Sequence, residues 1–374
     1  MKTVVSSRDL VCVNSMLDEL ICLQRWSELV VSAGKFSELG KQALNSAICY
    51  FLAVEAQHKG KSVDFTLFPK IALVRSFTKT YQCDIPQQNL EAIFKLGNVS
   101  KSSFDEMIWN NIQKSTSESF WRHLVVESDS LEYRIYTAAR SIGTYLELNA
   151  IKSIIPKSDY DAKKKQIEEI LSSFADLPGF SEVFSEKYLE ILEDYSQLRN
   201  RIRWAKHPSL IHCSVLGHHF DVAVFSYLMA LEKYPYDEGL ATRFFFMGIF
   251  HDFPERWTGD MPSPVKDSVP GLRKATEEFE DMMMKEHVYS KLPSHQVKAL
   301  RAVMLEDSEN IAFKKFLKKS DYFAAFVECW REVDAGSHHK YFLRVIHRDY
   351  QSKEELPLNF RRLAEELYDD ACRR

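Results

Sequence analysis

The chain has 374 residues, of which 45% are hydrophobic, 13% aromatic and 27% charged. This length favours two domains with ample apolar material for their cores and a surface that suits water. A formal net charge of −4 argues against a dedicated nucleic-acid-binding protein, although it does not exclude a small anion held by local Arg and Lys.

Seven cysteines are scattered along the chain without Cys-x-x-Cys spacing, and their odd number leaves at least one unpaired. Reduced thiols in a cytoplasmic protein are the simplest interpretation. Near the N-terminus, Arg8, Asp9 and Asp18 interrupt the apolar residues, so we expect no signal peptide. No apolar run approaches the length of about 18 residues that a membrane span needs, so no membrane partner is predicted.

The first half of the chain shows helical periodicity and little clean alternation of apolar and polar residues, which predicts an all-α fold. The predicted helices are Asn14 to Ser32, Ser37 to His58, Pro69 to Lys79, Gln87 to Phe94, Phe104 to Gln113 and Ser130 to Lys152.

A charge-rich helix is predicted from Ser158 to Ser173, and the stretch Asp176 to Phe180 (DLPGF) breaks it. We therefore divide the chain into a helical domain at 1–157, a helical linker at 158–180 and a second domain at 181–374.

In the second domain, the apolar run from Phe244 to Phe250 ends in His251 and Asp252. Such a run predicts a buried helix, which carries an imidazole and a carboxylate into the interior. Burying both groups is favourable if they bind a metal ion, which then requires further ligands from other helices.

Two further residues fit this requirement. His218 lies on the apolar stripe of a predicted helix, with Val222 and Phe225 at helical spacing after it. Asp321 shares a helix face with Leu317 and Ala324, so its carboxylate must be paired or bound to a cation.

The order His218, His251-Asp252, Asp321 resembles the HD-domain metal-dependent phosphohydrolases, which are all-helical. The string His251 to Lys266 (HDFPERWTGDMPSPVK) and the upstream pair Arg203-Trp204 are similar to one branch, the bacterial HD-domain 5'-deoxynucleotidases. The resemblance covers roughly Leu198 to Tyr350.

The resemblance implies one divalent ion, which is manganese, cobalt, iron or zinc, bound by His218, His251, Asp252 and Asp321. Glu255, four residues after His251, is then the catalytic residue that takes a proton from the attacking water. The resemblance also implies that Arg203, Trp204 and Asp260 contact the phosphate and deoxyribose of the substrate. An Arg fork suits a phosphate dianion.

The first half of the chain contains a possible internal repeat of this pattern. Val74 to Gln87 aligns without a gap with Phe250 to Ser263, and Arg25-Trp26 precedes a Leu-Gly pair as Arg203-Trp204 does. In this alignment the positions of the metal ligands and of Glu255 hold other residues, namely Lys41, Arg75, Ser76, Lys79 and Arg140.

We interpret the chain as two tandem HD-like domains, the N-terminal one a degenerate copy without metal ligands. The alternative is that two all-α domains share short strings by chance. A degenerate copy is expected to act as a scaffold, either as half of an internal pseudo-dimer in a monomer or within a homodimer. Its cations also suit a second role, the sensing of an anion.

The predicted function is the metal-dependent hydrolysis of (deoxy)nucleoside 5'-monophosphates, so the expected partner is a small nucleotide rather than a nucleic acid. One alternative is a phosphodiesterase or nucleoside triphosphate hydrolase of the same superfamily. Another is a nucleotide-binding regulatory protein with little turnover.

Overall fold

The protein is described by a computed structural model. It covers residues 4–29, 36–83, 85, 87–259, 261, 263–304 and 311–373, with the backbone alone at 87, 88, 263 and 264. Within these residues the structure is helical, with two isolated β-bridges and no strand. The prediction of an all-α fold is confirmed.

The first half of the described chain contains the helices α1 (Ser7–Cys22), α2 (Glu38–His58), α3 (Leu67–Gln82), α4 (Gln87–Gly97), α5 (Lys101–Ser115), α6 (Glu118–His123), α7 (Leu131–Ile151) and α8 (Lys157–Ser172).

The second half contains α9 (Phe180–Val183), α10 (Glu186–Ser196), α11 (Val215–Lys233), α12 (Glu238–Phe250), α13 (Glu255–Thr258), α14 (Ser263–Lys266), α15 (Leu272–Met284), α16 (Ser294–Met304), α17 (Ile311–Asp334), α18 (Lys340–Tyr350) and α19 (Leu358–Arg373). Short 3-10 segments lie at Gln197–Asn200 and Lys353–Glu355, and a π-helical turn lies at Lys285–Tyr289.

One predicted helix was misplaced. The prediction of Asn14 to Ser32 is confirmed only from Asn14 to Cys22, and residues 30–32 lie outside the described residues. Helix α1 begins earlier, at Ser7, where Ser6 and Asp9 form a reciprocal capping box. It ends at Cys22 because the next backbone turns extended, and the amide of Arg25 donates to the carbonyl of Phe36 at 2.7 Å. A long-range contact therefore overrides a local helical pattern. The predicted linker forms α8, which packs against α7.

Helices α2 and α11 form the centre of the molecule. Every residue of α2 from Glu38 to Ala56 is buried, as is every residue of α11 from Val215 to Leu231. The two helices pack against each other, α2 also against α7, and α11 also against α12 and α17. The buried apolar side chains of both halves consequently form one continuous core.

The contact between α2 and α11 is reciprocal near their N-termini. A Cβ placed on Gly40 would lie 3.6 Å from Leu216, and one placed on Gly217 would lie 3.3 Å from Leu39. Each Leu-Gly pair therefore packs against the other, as in a two-fold symmetric interface.

Helix α12 crosses α11 at still closer range, because a Cβ on Gly248 would lie 2.5 Å from the Cα of Ala223. This close approach brings the C-terminal end of α12 beside the first turns of α11. Across the described residues, no helix combines the length and apolar character that a membrane-spanning segment requires.

Candidate metal centre

His218 lies in the first turn and a half of α11, where Ser214 caps the helix, and its side chain is fully buried. Its Nδ1 lies 2.7 Å from Oε1 of Glu328, and its Nε2 lies 3.0 Å from Oδ1 of Asp321. Burial and Arg203 lower the pKa of His218, but the two carboxylates outweigh them and raise it to about 9. The ring is thus held between two acids.

His251 directly follows α12, and Asp252 comes next along the chain. Nδ1 of His251 donates to the carbonyl of Gly248 at 2.8 Å, and Nε2 lies 3.2 Å from Oδ2 of Asp252. Burial raises the pKa of Asp252, yet the adjacent His251 reverses the shift, so the pKa lies well below its usual value. This carboxylate is ionised at neutral pH.

Three of the four predicted ligands converge. One ligand atom each of His218, His251 and Asp252 lies within 4.8 Å of the others, and the two rings are 5.4 Å apart between centroids. Asp321 joins this group through His218, while its Oδ2 accepts an ion pair from Lys318 at 2.7 Å. Burial raises the pKa of Asp321, but His218 and Lys318 lower it well below its usual value.

These residues fit a divalent metal ion. In both histidines Nδ1 is bonded to an acceptor, which leaves Nε2 facing the carboxylates, as in histidines that bind metals. Two ionised carboxylates and two imidazoles form a mixed nitrogen and oxygen donor set that suits zinc, manganese, iron or cobalt. A cation would replace the proton that His218 shares with Asp321.

Glu328 connects His218 with the Arg203-Trp204 pair, and it was not identified from the sequence. Its Oε1 binds His218, and its Oε2 accepts from Nε of Arg203 at 2.8 Å and from Nε1 of Trp204 at 3.0 Å. Burial raises the pKa of Glu328, but Arg203 and His218 lower it to about 2. The signal was its position seven residues after Asp321 on α17, which places both on one helix face.

The structure brings Arg203 and Trp204 to the metal-ligand group through Glu328. Trp204 also packs against Tyr341, with ring centroids 5.9 Å apart, and its backbone adopts a left-handed conformation at φ 58°. The remaining predicted residues are placed less fully. Glu255 is buried at the start of α13, three residues beyond Asp252, whereas Asp260 lies outside the described residues.

His219 follows His218 on α11 but is not a residue of the molecular surface. It is fully buried, with Nδ1 3.1 Å from the hydroxyl of Tyr195 and its ring 4.8 Å from that of His251. Burial and the adjacent His251 lower the pKa of His219 well below its usual value, so its ring is neutral.

The first half contains an arrangement with the same connections. Nε of Arg25 and Nε1 of Trp26 both donate to Oε2 of Glu147, at 3.0 and 3.1 Å, and Trp26 is left-handed at φ 63°. Ser37 caps α2 by accepting from the amide of Gly40, as Ser214 accepts from the amide of Gly217.

At the position corresponding to His218, Lys41 extends its ammonium to within 3.5 Å of Glu147. Arg140 precedes Glu147 by seven residues on α7, as Asp321 precedes Glu328 on α17. The alignment that the sequence suggests between the halves thus has a geometric parallel around both Arg-Trp pairs.

Comparison with known proteins agrees with the chemistry of this site. Residues 187–359 match the model of a family described as YfbR-like 5'-deoxynucleotidases. A 5'-deoxynucleotidase of Photorhabdus laumondii is 28% identical over 146 residues, which are 38% of this chain and 73% of that protein. One of Vibrio parahaemolyticus is 29% identical over 139 residues, which are 36% of this chain and 71% of that protein.

A third relative, from Vibrio vulnificus, is 28% identical over 138 residues, again 36% of this chain and 71% of the relative. All three matches cover the greater part of a shorter protein and less than half of this one. The family match thus identifies residues 187–359, slightly less than half of this chain, as a YfbR-like domain.

Proposed function

We propose that this chain is a metal-dependent phosphomonoesterase that hydrolyses deoxynucleoside 5'-monophosphates to nucleoside and phosphate. The observation that carries the proposal is the convergence of His218, His251 and Asp252, with Asp321 against His218, at the partly buried junction of α11, α12 and α17. The names of the relatives support the substrate class.

His218, His251, Asp252 and Asp321 would hold a divalent ion, which would supply the Lewis acidity that makes a water molecule nucleophilic near neutral pH. Glu328 and the carbonyl of Gly248 fix the two imidazoles so that Nε2 of each is presented as a ligand. We assign Glu255 to accept the proton of the attacking water, from its buried position one turn beyond His251.

Substrate contacts are assigned to Arg203, Trp204 and Asp260 on the resemblance. Arg203 suits the phosphoryl oxygens because a guanidinium presents several donors in one plane, and its Nε bond to Glu328 holds the side chain at the site. Lys318 adds a second positive charge next to Asp321.

The domain division is part of the proposal. Residues 1–157 form the metal-free HD-like copy, 158–180 connect the halves, and 181–374 form the catalytic domain. The reciprocal packing of Gly40 and Gly217 supports an internal pseudo-dimer of the two halves. The protein is then a monomer that contains this pseudo-dimer, or a homodimer. The free state of all seven cysteines accords with a cytoplasmic location.

One observation favours a second candidate, a nucleoside triphosphate hydrolase. A cavity of about 550 Å³ lies along α17 and is lined by four lysines, of which Lys318 also pairs with Asp321. These are Lys315, Lys318, Lys319 and Lys353. The volume suits a small-molecule ligand, and additional phosphate groups would find cations there.

The test is to measure product release from dAMP, AMP, dATP and a cyclic dinucleotide by the metal-loaded protein, with metal content determined alongside. We expect inorganic phosphate from dAMP, loss of this activity after treatment with a chelator, and recovery on adding manganese or cobalt. Faster turnover of dATP would establish the second candidate. A metal-loaded protein that hydrolyses none of them would leave only nucleotide binding.

A further inference from the structure

The first half contains a cluster of charged side chains where α2, α3 and α7 meet the segment before α2. Five cations contribute to it, against two carboxylates, so the cluster carries an excess of positive charge. The cations are Arg25, Lys41, Arg75, Lys79 and Arg140, and the carboxylates are Glu38 and Glu147.

Both carboxylates are already engaged. Oε2 of Glu147 accepts from Nε and Nη2 of Arg25 and lies 3.5 Å from Nζ of Lys41. Glu38 pairs with Nη1 of Arg25 at 2.8 Å through Oε2, and accepts from the amide of Gln42 at 2.7 Å through Oε1. Their negative charge is therefore compensated chiefly by Arg25, which pairs with both.

The other three cations, Arg75, Lys79 and Arg140, form no ion pair with any carboxylate that the structure describes. All three are half-buried, so they are partly desolvated and still reachable from water. Burial and neighbouring cations lower the pKa of Arg140 to about 10. Holding like charges together out of water is unfavourable unless an anion compensates them.

A buried amide next to the cluster also lacks a partner. Asn45 is 1% exposed, and neither Oδ1 nor Nδ2 finds a hydrogen-bond partner within the described chain. It lies next to Lys41, because a Cβ on Gly143 of α7 would meet both Nζ of Lys41, at 2.8 Å, and Oδ1 of Asn45, at 3.0 Å. A Cβ at this position would crowd both polar groups, and Nδ2 is a donor available to an anion.

We propose that this cluster is a second ligand site, which binds a small molecule through a phosphate dianion. Arg75, Lys79 and Arg140 provide the compensating charges, and Asn45 provides a neutral donor. In the candidate metal centre carboxylates attract a cation, whereas here cations occupy the corresponding positions, so the site attracts the opposite charge. Planar guanidinium groups favour phosphate over smaller anions, because each binds two oxygens at once.

The test is calorimetric titration of inorganic phosphate and of dAMP into the full-length chain carrying Asp252→Ala, freed of metal. The Asp252→Ala substitution disables the candidate metal centre. Phosphate binding in the first half can then be measured whether or not the proposed hydrolysis is correct. We expect phosphate binding to persist in this protein. Adding Arg140→Gln should weaken it at least about tenfold, the loss expected for one charge-assisted hydrogen bond.

Arg134→Gln is the matched control, since Arg134 lies on the same helix but pairs at the surface with Asp176. It should leave phosphate affinity unchanged. If Arg140→Gln lowers the melting temperature too far for titration, Lys79→Gln is the second variant, with the same expected loss. Absence of millimolar binding in the Asp252→Ala protein, or equal affinity in the Arg140→Gln and Arg134→Gln variants, would overturn the proposal.

Discussion

The two halves of this molecule surround different groups with the same local structure. In each half an Arg-Trp pair donates to one buried Glu, the Trp is left-handed, and a Ser caps the helix that follows. The backbone bonds also correspond, since Arg25 donates to the carbonyl of Phe36 and Arg203 to that of Cys213. The halves differ in the side chains next to this Glu. In the second half α11 and α17 contribute His218 and Asp321, whereas in the first half α2 and α7 contribute Lys41 and Arg140.

This comparison separates a supporting structure from the chemistry it supports. The Arg-Trp-Glu arrangement around Glu147 forms without any of the metal ligands, so its geometry does not depend on a metal ion. In the second half Glu328 additionally binds His218, and the same arrangement thereby orients a ligand. The two halves thus share one supporting arrangement and differ in the residues that it surrounds, which are His218 and Asp321 in one half and Lys41 and Arg140 in the other.

The largest difference is expected from a matched pair at the end of α12 and within α3. Asp252→Ala removes an ionised ligand, so metal content and turnover of dAMP should fall by more than about a hundredfold. Ser76→Ala changes the corresponding position of the first half, where the hydroxyl is buried and has no partner within the described chain. Its loss should leave metal content unchanged and cost little stability.

Metal analysis and a phosphate-release assay on both purified variants decide this. Equal metal content in the Asp252→Ala protein and the wild type would remove Asp252 from the ligand set. A fall in metal content for Ser76→Ala would contradict the proposal that the first half holds no metal ion.

The second comparison concerns the two glutamates. Glu328→Gln keeps the shape but weakens the support of His218, so metal affinity or turnover should fall about 10–100-fold. Glu147→Gln leaves Arg25 and Lys41 short of charge compensation, so it should lower stability by about 3–5 kcal/mol. Its turnover, measured well below its melting temperature, should stay within about twofold of the wild type, because it lies outside the metal-ligand group. Equal losses of turnover in both variants would contradict the division of roles.

The candidate metal ligands could be proposed from the sequence alone because their signal is local. An apolar run that ends in His251-Asp252 is visible within one helix, and His218 and Asp321 each lie on the apolar face of their own helix. Glu328 has an equally regular position on α17, but its importance depends on Arg203, which is 125 residues away along the chain. One sequence does not indicate which of many glutamates meets a distant arginine.

The same reason explains the misplaced first helix. Residues beyond Cys22 continue an apolar pattern that suits a helix, but the backbone of Arg25 pairs with Phe36 and the chain leaves the helical path. Lys318 was also missed, because its ion pair with Asp321 spans three residues of a helix surface rich in lysines. The end of the first helix is decided by a contact outside that helix, whereas the Lys318 pair is local and is not distinguished in sequence from its neighbouring lysines.

The third prediction uses the charge that replaces His218 in the first half. Burial, Arg25 and Arg140 lower the pKa of Lys41 from its ordinary 10.5 to about 7, against the opposing effect of Glu147 and Glu38. Between pH 7 and pH 10.5 the unfolded chain therefore binds a proton that the folded chain lacks, so the stability of the wild type rises with pH across this window.

Lys41→Met removes this dependence. Any stability advantage of the variant should shrink as pH rises from 7 to 9, by at most about 1.4 kcal/mol per pH unit. Melting temperatures of both proteins across this range test it, with Lys59→Met, at an exposed surface pair, as the control. A constant difference between Lys41→Met and wild type at all pH values would show that Lys41 keeps its ordinary pKa.

The smallest effects are expected at the two tryptophans. Trp26→Phe and Trp204→Phe keep an aromatic ring on a left-handed backbone and remove only the indole N–H, which donates to Glu147 or Glu328. A hydrogen bond to a charged group contributes about 1.5–3 kcal/mol, so both variants should melt a few degrees lower. Only Trp204→Phe should also reduce turnover, by a few-fold, because only Glu328 positions a ligand. If Trp204→Phe lost stability and kept full turnover, the indole would serve the fold alone, and the two halves would use their Arg-Trp pairs identically.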